Sequence, residues 1–252
     1  VWYNSTSGTL KGLVALEAWS SGSPLNTAIY YNAGAGTQTS ALSFAGVAGG
    51  NPTTTTQTEE YNGSGWSIGG ALPVAKRAGM GAGTQTAALL GGGATLPGAA
   101  STTSEEYDGT NWTSGGSLST GRRYTAGMGT QTAALCITGQ NPGGTNIDSC
   151  EEYDGTSWTA GGAFPKANRQ QVGIGTQTAG IGCGGYSTTN ETESYEYDGT
   201  SWASLTEMNT ARYTFAGAGE QTAGLVWGGY SPGAITTTEK YDGSSWTASP
   251  AS

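Results

Sequence analysis

One tryptophan returns six times at nearly the same interval: Trp19, Trp66, Trp112, Trp158, Trp202 and Trp246 lie 47, 46, 46, 44 and 44 residues apart. Gln38, Gln85, Gln131, Gln177 and Gln221 keep the same beat. Each repeat runs through a basic or Tyr pair, a Gly/Ala-rich stretch, Gly-Thr-Gln-Thr or a close variant, a short apolar run, a Thr-rich loop and Glu-Glu-Tyr-Asp-Gly-Thr-x-Trp or a close variant. The copies span about 20–66, 67–112, 113–158, 159–202 and 203–246. A unit of this length cannot bury its apolar face alone, so the fold must stack neighbours. Residues 1–19 stand outside the repeats and are expected to be a neck or assembly segment.

The periodicity inside a repeat gives strands. Residues 78–83 are small, 86–92 apolar and 103–107 polar and aromatic, and Trp112 opens a fourth strand. Gly-Thr-Gln separates the first two, and Asp-Gly-Thr, suited to positive φ, the last two. Four short antiparallel strands per repeat predict a propeller blade. Composition agrees only once the repeat is recognised. With 45 Gly and 8 Pro, and few large aliphatics, the chain would otherwise read as disordered. Its 8 Trp and 13 Tyr can carry a core instead, and Gly suits strands crowded at an axis. The expected fold is all-β: a five-bladed β-propeller over 20–252, closed around a narrow axis.

The basic residues that open the repeats (Arg77, Arg122, Arg123, Arg169, Arg212), the pairs Gly91–Gly92, Gly184–Gly185 and Gly228–Gly229, and the recurring Tyr…Trp pairs resemble the kelch repeat. Those pairs are Tyr61/Trp66, Tyr107/Trp112, Tyr153/Trp158, Tyr197/Trp202 and Tyr241/Trp246. The chain departs from kelch in a shorter Tyr-to-Trp spacing and in Thr138, which replaces the first Gly of the third pair. Tyr-Asp-Gly-Thr-Ser-Trp together with Gly-Thr-Gln-Thr-Ala looks most like kelch-type propellers of bacteriophage tail-fibre and appendage proteins. Residues 1–13 resemble the short β-hairpin placed before such domains. The resemblance implies a virion or extracellular setting.

In such a blade, with strands a to d from axis to rim, the d–a and b–c connections share one face. The a–b and c–d turns on the other face barely change from repeat to repeat. The first face varies, through loops 51–57, 94–101, 140–146, 186–190 and 230–234. Variable loops on a rigid scaffold mark a binding face. Lys76, Arg77, Arg122, Arg123, Lys166, Arg169 and Arg212 fall on that side, with Ile29 and Tyr30 replacing them in repeat one. Candidate ligand residues are Arg77, Arg123, Arg169 and Arg212, a ring able to attract carboxylated or sulfated sugars, with Tyr186 and Tyr230 as stacking faces. The competing reading has each Arg holding its own blade through neighbouring carbonyls, and Tyr186, Tyr230 and Trp227 packed between blades. The repeated Trp and Tyr are expected to be core. Cys136 and Cys150 are expected to face each other across a hairpin centred on residue 143, as a disulfide or as two buried thiols, with Cys183 a small core residue.

The chain has no His, which excludes Ser-His-Asp and Cys-His catalysis and most zinc and copper sites. Its carboxylates recur blade by blade as a ring, whereas a glycosidase needs one pair of distinct character. No cofactor and no enzyme are expected. A net charge of −9 gives phosphate backbones no support, and no apolar run is long enough to span a membrane. The expected function is a non-catalytic virion appendage or tail-fibre propeller contacting a host-surface glycan. The alternatives are an assembly or decoration subunit among other virion proteins, or a secreted lectin. Residues 1–19 would mediate any homo-oligomer.

Overall fold

The computed structural model describes residues 2–4, 9–11, 21–49 and 53–249. Most of the expected neck lies outside them; within it Trp2–Asn4 pairs antiparallel with Thr9–Lys11. Each repeat forms one four-stranded antiparallel sheet, and the five sheets make a five-bladed β-propeller. Strand a is Ala33–Thr37, Met80–Thr84, Ala126–Thr130, Val172–Thr176 and Ala216–Glu220 in blades one to five. Strand b is Ser40–Phe44, Ala87–Gly91, Ala133–Gln140, Ala179–Cys183 and Ala223–Trp227. Strand c is Thr58–Tyr61, Ser104–Tyr107, Asn146–Tyr153, Ser194–Tyr197 and Thr238–Tyr241. Strand d is Trp66–Ile68, Trp112–Ser114, Trp158–Ala160, Trp202–Ser204 and Trp246–Ser249. The c–d turn is tied by its own Asp: Asp108 Oδ1 accepts the Thr110 and Asn111 amides at 2.8 and 2.7 Å, and Asp154, Asp198 and Asp242 repeat the device.

Neighbouring blades from one to five are joined by recurring devices. The side-chain amide of the a–b turn Gln donates to two carbonyls of the preceding blade. Gln85 reaches Ala41 and Tyr61, Gln131 reaches Ala88 and Tyr107, Gln177 reaches Ala134 and Tyr153, and Gln221 reaches Gly180 and Tyr197. The strand c Tyr donates its hydroxyl to a Glu of the blade before: Tyr107 to Glu60, Tyr153 to Glu106 and Tyr197 to Glu152, each at 2.5 Å. Beneath these straps lie four apolar clusters. Phe44 meets Leu72 and Trp112, Met80 meets Leu118 and Trp158, Met128 meets Phe164 and Tyr197, and Ile174 meets Met208 and Trp246. Each Trp lies beside the Tyr of its own blade, ring centroids 4.8–5.1 Å apart. Burial and the Glu hydrogen bonds push Tyr107, Tyr153 and Tyr197 up to about 12. These phenols hold their protons more tightly folded than unfolded, so their stabilisation is complete below pH 10 and lost between about 10 and 12. Alkaline titration followed by circular dichroism and phenolate absorbance should show the three ionising together with unfolding. Free ionisation of all tyrosines near pH 10 before any loss of structure would contradict this.

The axis is crowded as the glycine content implies. A methyl group on Gly81 would meet the Gly34 carbonyl oxygen at 2.5 Å, and one on Gly173 the Gly127 carbonyl oxygen at 2.8 Å.

Between blades five and one, among the described residues, none of these devices recurs. Gln38 is exposed whereas the other four are half-buried, and Lys240 stands where the preceding blades place Glu60, Glu106, Glu152 and Glu196. Ala216, Ala218 and Ala223 on blade five are exposed. Among the described residues the seam between blades five and one thus has neither strap, while that between blades four and five keeps only the Gln221 strap.

Of the two forms expected for Cys136 and Cys150 the structure has the buried thiols and not the disulfide, and the two do not face each other across the hairpin. Both are buried free thiols, as is Cys183. Near the loop the register is centred on 143 as expected, with Gln140 opposite Asn146 and Gly139 opposite Ile147. A bulge at Thr138 then adds one residue on strand c, so Cys136 opposes Glu151 and Cys150 opposes Ile137. A one-residue slip sends side chains to opposite faces. Cys136 packs towards blade two and Cys150 towards blade four.

Candidate ligand-binding face

The segment entering strand a is extended, so adjacent side chains point to opposite sides. Its two consecutive positions, Lys76–Arg77, Arg122–Arg123, Asn168–Arg169 and Arg212–Tyr213, accordingly have different fates. The first turns inward. Lys76 pairs with Glu105 at 2.7 Å, Arg122 with Glu151 and Arg212 with Glu239 at 2.7 Å, every side chain at most 4% exposed. Arg212 also donates to the Gly228 and Thr237 carbonyls, and Arg122 to that of Ser149. Burial lowers the Lys76 pKa, with Glu105 opposing the shift. Arg212 is thus a strut inside its blade, not a ligand residue of the face. Blade four replaces cation and anion together, with Asn168 and Tyr195. Blade one has Ile29 in the cation's position, keeps Glu59 buried and satisfies its carboxylate with the Asn26 and Thr27 amides and the Gln57 side chain.

The second position reaches the variable face: Tyr30, Arg77, Arg123, Arg169 and Tyr213. Arg123 grips Gln140 Oε1 and the Gly98 carbonyl. Arg169 bonds Asn146 Oδ1 and lies 4.9 Å from the Tyr186 ring centroid. Tyr186 and Tyr213 are 5.4 Å apart, as are Tyr213 and the exposed Tyr230. Tyr186 and Tyr230 therefore belong to one aromatic arc.

The next position was not singled out by sequence reasoning. Tyr31, Ala78, Tyr124, Gln170 and Thr214 occupy equivalent places around the axis, all left-handed, with φ between 52° and 56°. Their backbones form a chain of hydrogen bonds: Ala78 N–H to Tyr31 O, Tyr124 to Ala78, Gln170 to Tyr124 and Thr214 to Gln170, 2.7–3.1 Å. With Asn32, Gln171, Phe215 and Trp227 they line a cavity of about 590 Å³ at the axial mouth. Tyr31 and Tyr124 meet edge-to-face at 5.7 Å across it. Burial and the Tyr124 hydroxyl raise the Tyr31 pKa, and the nearby Arg77 opposes the rise. Gln171 is 5% exposed, and its carboxamide makes no hydrogen bond among the described residues. The available signal was that these columns read Tyr, Ala, Tyr, Gln, Thr and Asn, Gly, Thr, Gln, Phe where the repeat elsewhere holds steady.

No family model matches the chain, and no curated protein matches it. Fold and face define a β-propeller with a rigid repeated frame under one varied face, an architecture suited to binding or structural roles.

Proposed function

We propose that this chain is the host-contacting propeller of a virion appendage, non-catalytic and extracellular, which holds a host-surface glycan at the axial mouth and on the aromatic arc beside it. The observation that carries the reading is the left-handed ring. The described residues place Gly at twenty other positive-φ positions, yet five equivalent positions around the axis carry side chains instead. Each such residue costs about 1 kcal/mol or more relative to Gly. The bonds between blades set this backbone, and the side chains it carries differ from blade to blade, which gives the mouth a varied surface on a fixed ring. Tyr faces, carboxamides and hydroxyls in one concavity suit the apolar faces and hydroxyls of a sugar. The virion setting draws on the kelch-type resemblance.

The test is a glycan array with the intact protein, Tyr31→Ala, Tyr124→Ala and Tyr230→Ala. Ala78 already holds φ 56°, so alanine fits the first two sites without refolding. Wild type should bind a defined glycan, and each variant should weaken it about tenfold or more. A blank array at high protein concentration overturns the reading. The second reading, an assembly or decoration subunit without a ligand, draws on the unmatched seam between blades five and one and would then take its place.

A further inference from the structure

The hydrogen bonds that run around the axis stop one short of a circle. Four of the five equivalent amides reach the carbonyl of the preceding blade, from Ala78 to Tyr31 round to Thr214 to Gln170. The fifth step, from the Tyr31 amide to the Thr214 carbonyl, is not made. Among the described residues neither group has another hydrogen-bond partner. Tyr31 shares the left-handed backbone of the other four and their place in the blade, so its N–H is directed as theirs are, towards the blade before it. Tyr31 and Thr214 line one cavity of about 340 Å³ together with Tyr213, Gly229 and Tyr230. That volume lies at the low end of the ~300–1,000 Å³ of small-molecule sites. Its walls come from two blades: Tyr31 from blade one, Tyr213 and Tyr230 from blade five. None of the five lining residues is charged. The blade-five wall is particular to this place. The equivalent bridge joins Arg77 to Ala94, Arg123 to Gln140 and Arg169 to Tyr186 in blades two to four, but Tyr213 to Tyr230 in blade five. The pair that is aromatic on both strands is thus the one beside the open step.

Resting on the glycan reading above, we infer that the open step is a subsite for a neutral pyranose. Its hydroxyls accept from the Tyr31 N–H and donate to the Thr214 carbonyl, and the C–H face of its ring lies on the Tyr213–Tyr230 wall. The step offers one donor and one acceptor, both backbone and both uncharged. A carboxylate or sulfate only accepts and leaves the carbonyl unmet; an ammonium only donates and leaves the amide unmet; a hydroxyl does both. A backbone group covered by a ligand that cannot meet it costs about ten- to a hundredfold in affinity. The aromatic wall supplies the apolar half of the contact, as Tyr faces do for flat C–H surfaces.

Amide hydrogen exchange, followed by NMR on protein labelled with nitrogen-15 at tyrosine, tests this with an internal reference. Tyr124 occupies the equivalent position in blade three, and its N–H is already bonded to Ala78 O at 2.7 Å. The Tyr31 signal is assigned by its loss in Tyr31→Phe. In the free protein the Tyr31 amide should exchange about a hundredfold or more faster than that of Tyr124. The methyl glycosides of glucose, mannose and galactose are then added in turn at high concentration, followed by their per-O-methylated forms. At least one glycoside should slow Tyr31 about tenfold or more near saturation and leave Tyr124 unchanged. Its per-O-methylated form should not, because it keeps the C–H faces but has no hydroxyl to donate. Tyr213→Ala, which keeps both backbone bonds to Tyr230, should weaken that glycoside about tenfold. A Tyr31 amide as slow as Tyr124 in the free protein means that the circle closes on itself, and overturns the inference. Array hits while no glycoside slows Tyr31, equal protection by the per-O-methylated sugars, or unchanged binding in Tyr213→Ala also overturn it, and leave the glycan reading standing. A blank array removes both.

Discussion

Arg122→Ala should destabilise the protein by about 3–5 kcal/mol, the cost of stranding a buried charge. Glu151 is 2% exposed, and its other bond in the structure comes from the Ser119 amide at 2.8 Å. Arg122 also satisfies the Ser149 carbonyl, so one truncation leaves an anion and a backbone acceptor short of donors. Removing both partners, as in Arg122→Met with Glu151→Leu, should recover much of the loss, because desolvation of the pair is then avoided as well. Blade four already lives without the pair, through Asn168 and Tyr195. Denaturant unfolding of the single and double variants checks this. A single variant within about 1 kcal/mol of wild type would show that water replaces the guanidinium and that the strut is not structural.

Gly81→Ala and Gly34→Ala should differ sharply although they alter the same position in neighbouring repeats. The methyl group at Gly81 runs into the backbone of blade one, with the Gly34 oxygen at 2.5 Å and nitrogen at 3.1 Å. Backbone cannot rotate aside, so overpacking of about 1–3 kcal/mol is expected. At Gly34 the nearest atom is the Leu42 carbonyl oxygen of its own blade at 3.4 Å, and no blade-five backbone is in reach. There alanine should be near neutral, or stabilising by about 0.4–1 kcal/mol through the unfolded chain. Thermal melting of both variants decides it. Equal losses would mean that blades five and one press together in solution as the other pairs do.

The frame was legible because it repeats. Six tryptophans, five glutamines and the Asp-Gly turns carry the same instruction five times, and four strands per interval follow from it. Two features escaped for stated reasons. The basic residues form two adjacent columns that face opposite ways, and reading Lys76–Arg77, Arg122–Arg123 and Arg212 as one column placed Arg212 on the face when it lies under it. The cysteines were assigned by symmetric counting from the hairpin centre, which cannot see the bulge at Thr138. The axial mouth was harder still. Nothing in the residues Tyr31, Ala78, Tyr124, Gln170 and Thr214 announces a left-handed backbone; that conformation comes from each amide reaching the carbonyl of the preceding blade.

A perfect ring has no first or last member, whereas the described residues of this array leave two ends. Through the contacts described, blades two, three and four are each clasped on both sides, and blades one and five on one. In a nearest-neighbour system each clasp adds to the stability of the units it joins. The middle blade should then be the last to open, and fraying should spread inward from Gln38 on one side and from Ala223 on the other. The varied mouth is not spared this gradient, because Tyr31 and Thr214 sit on the terminal blades while Tyr124 sits on the most secure one. A ligand touching all three would bridge the two ends across the axis and act as the clasp that the contacts among the described residues do not provide.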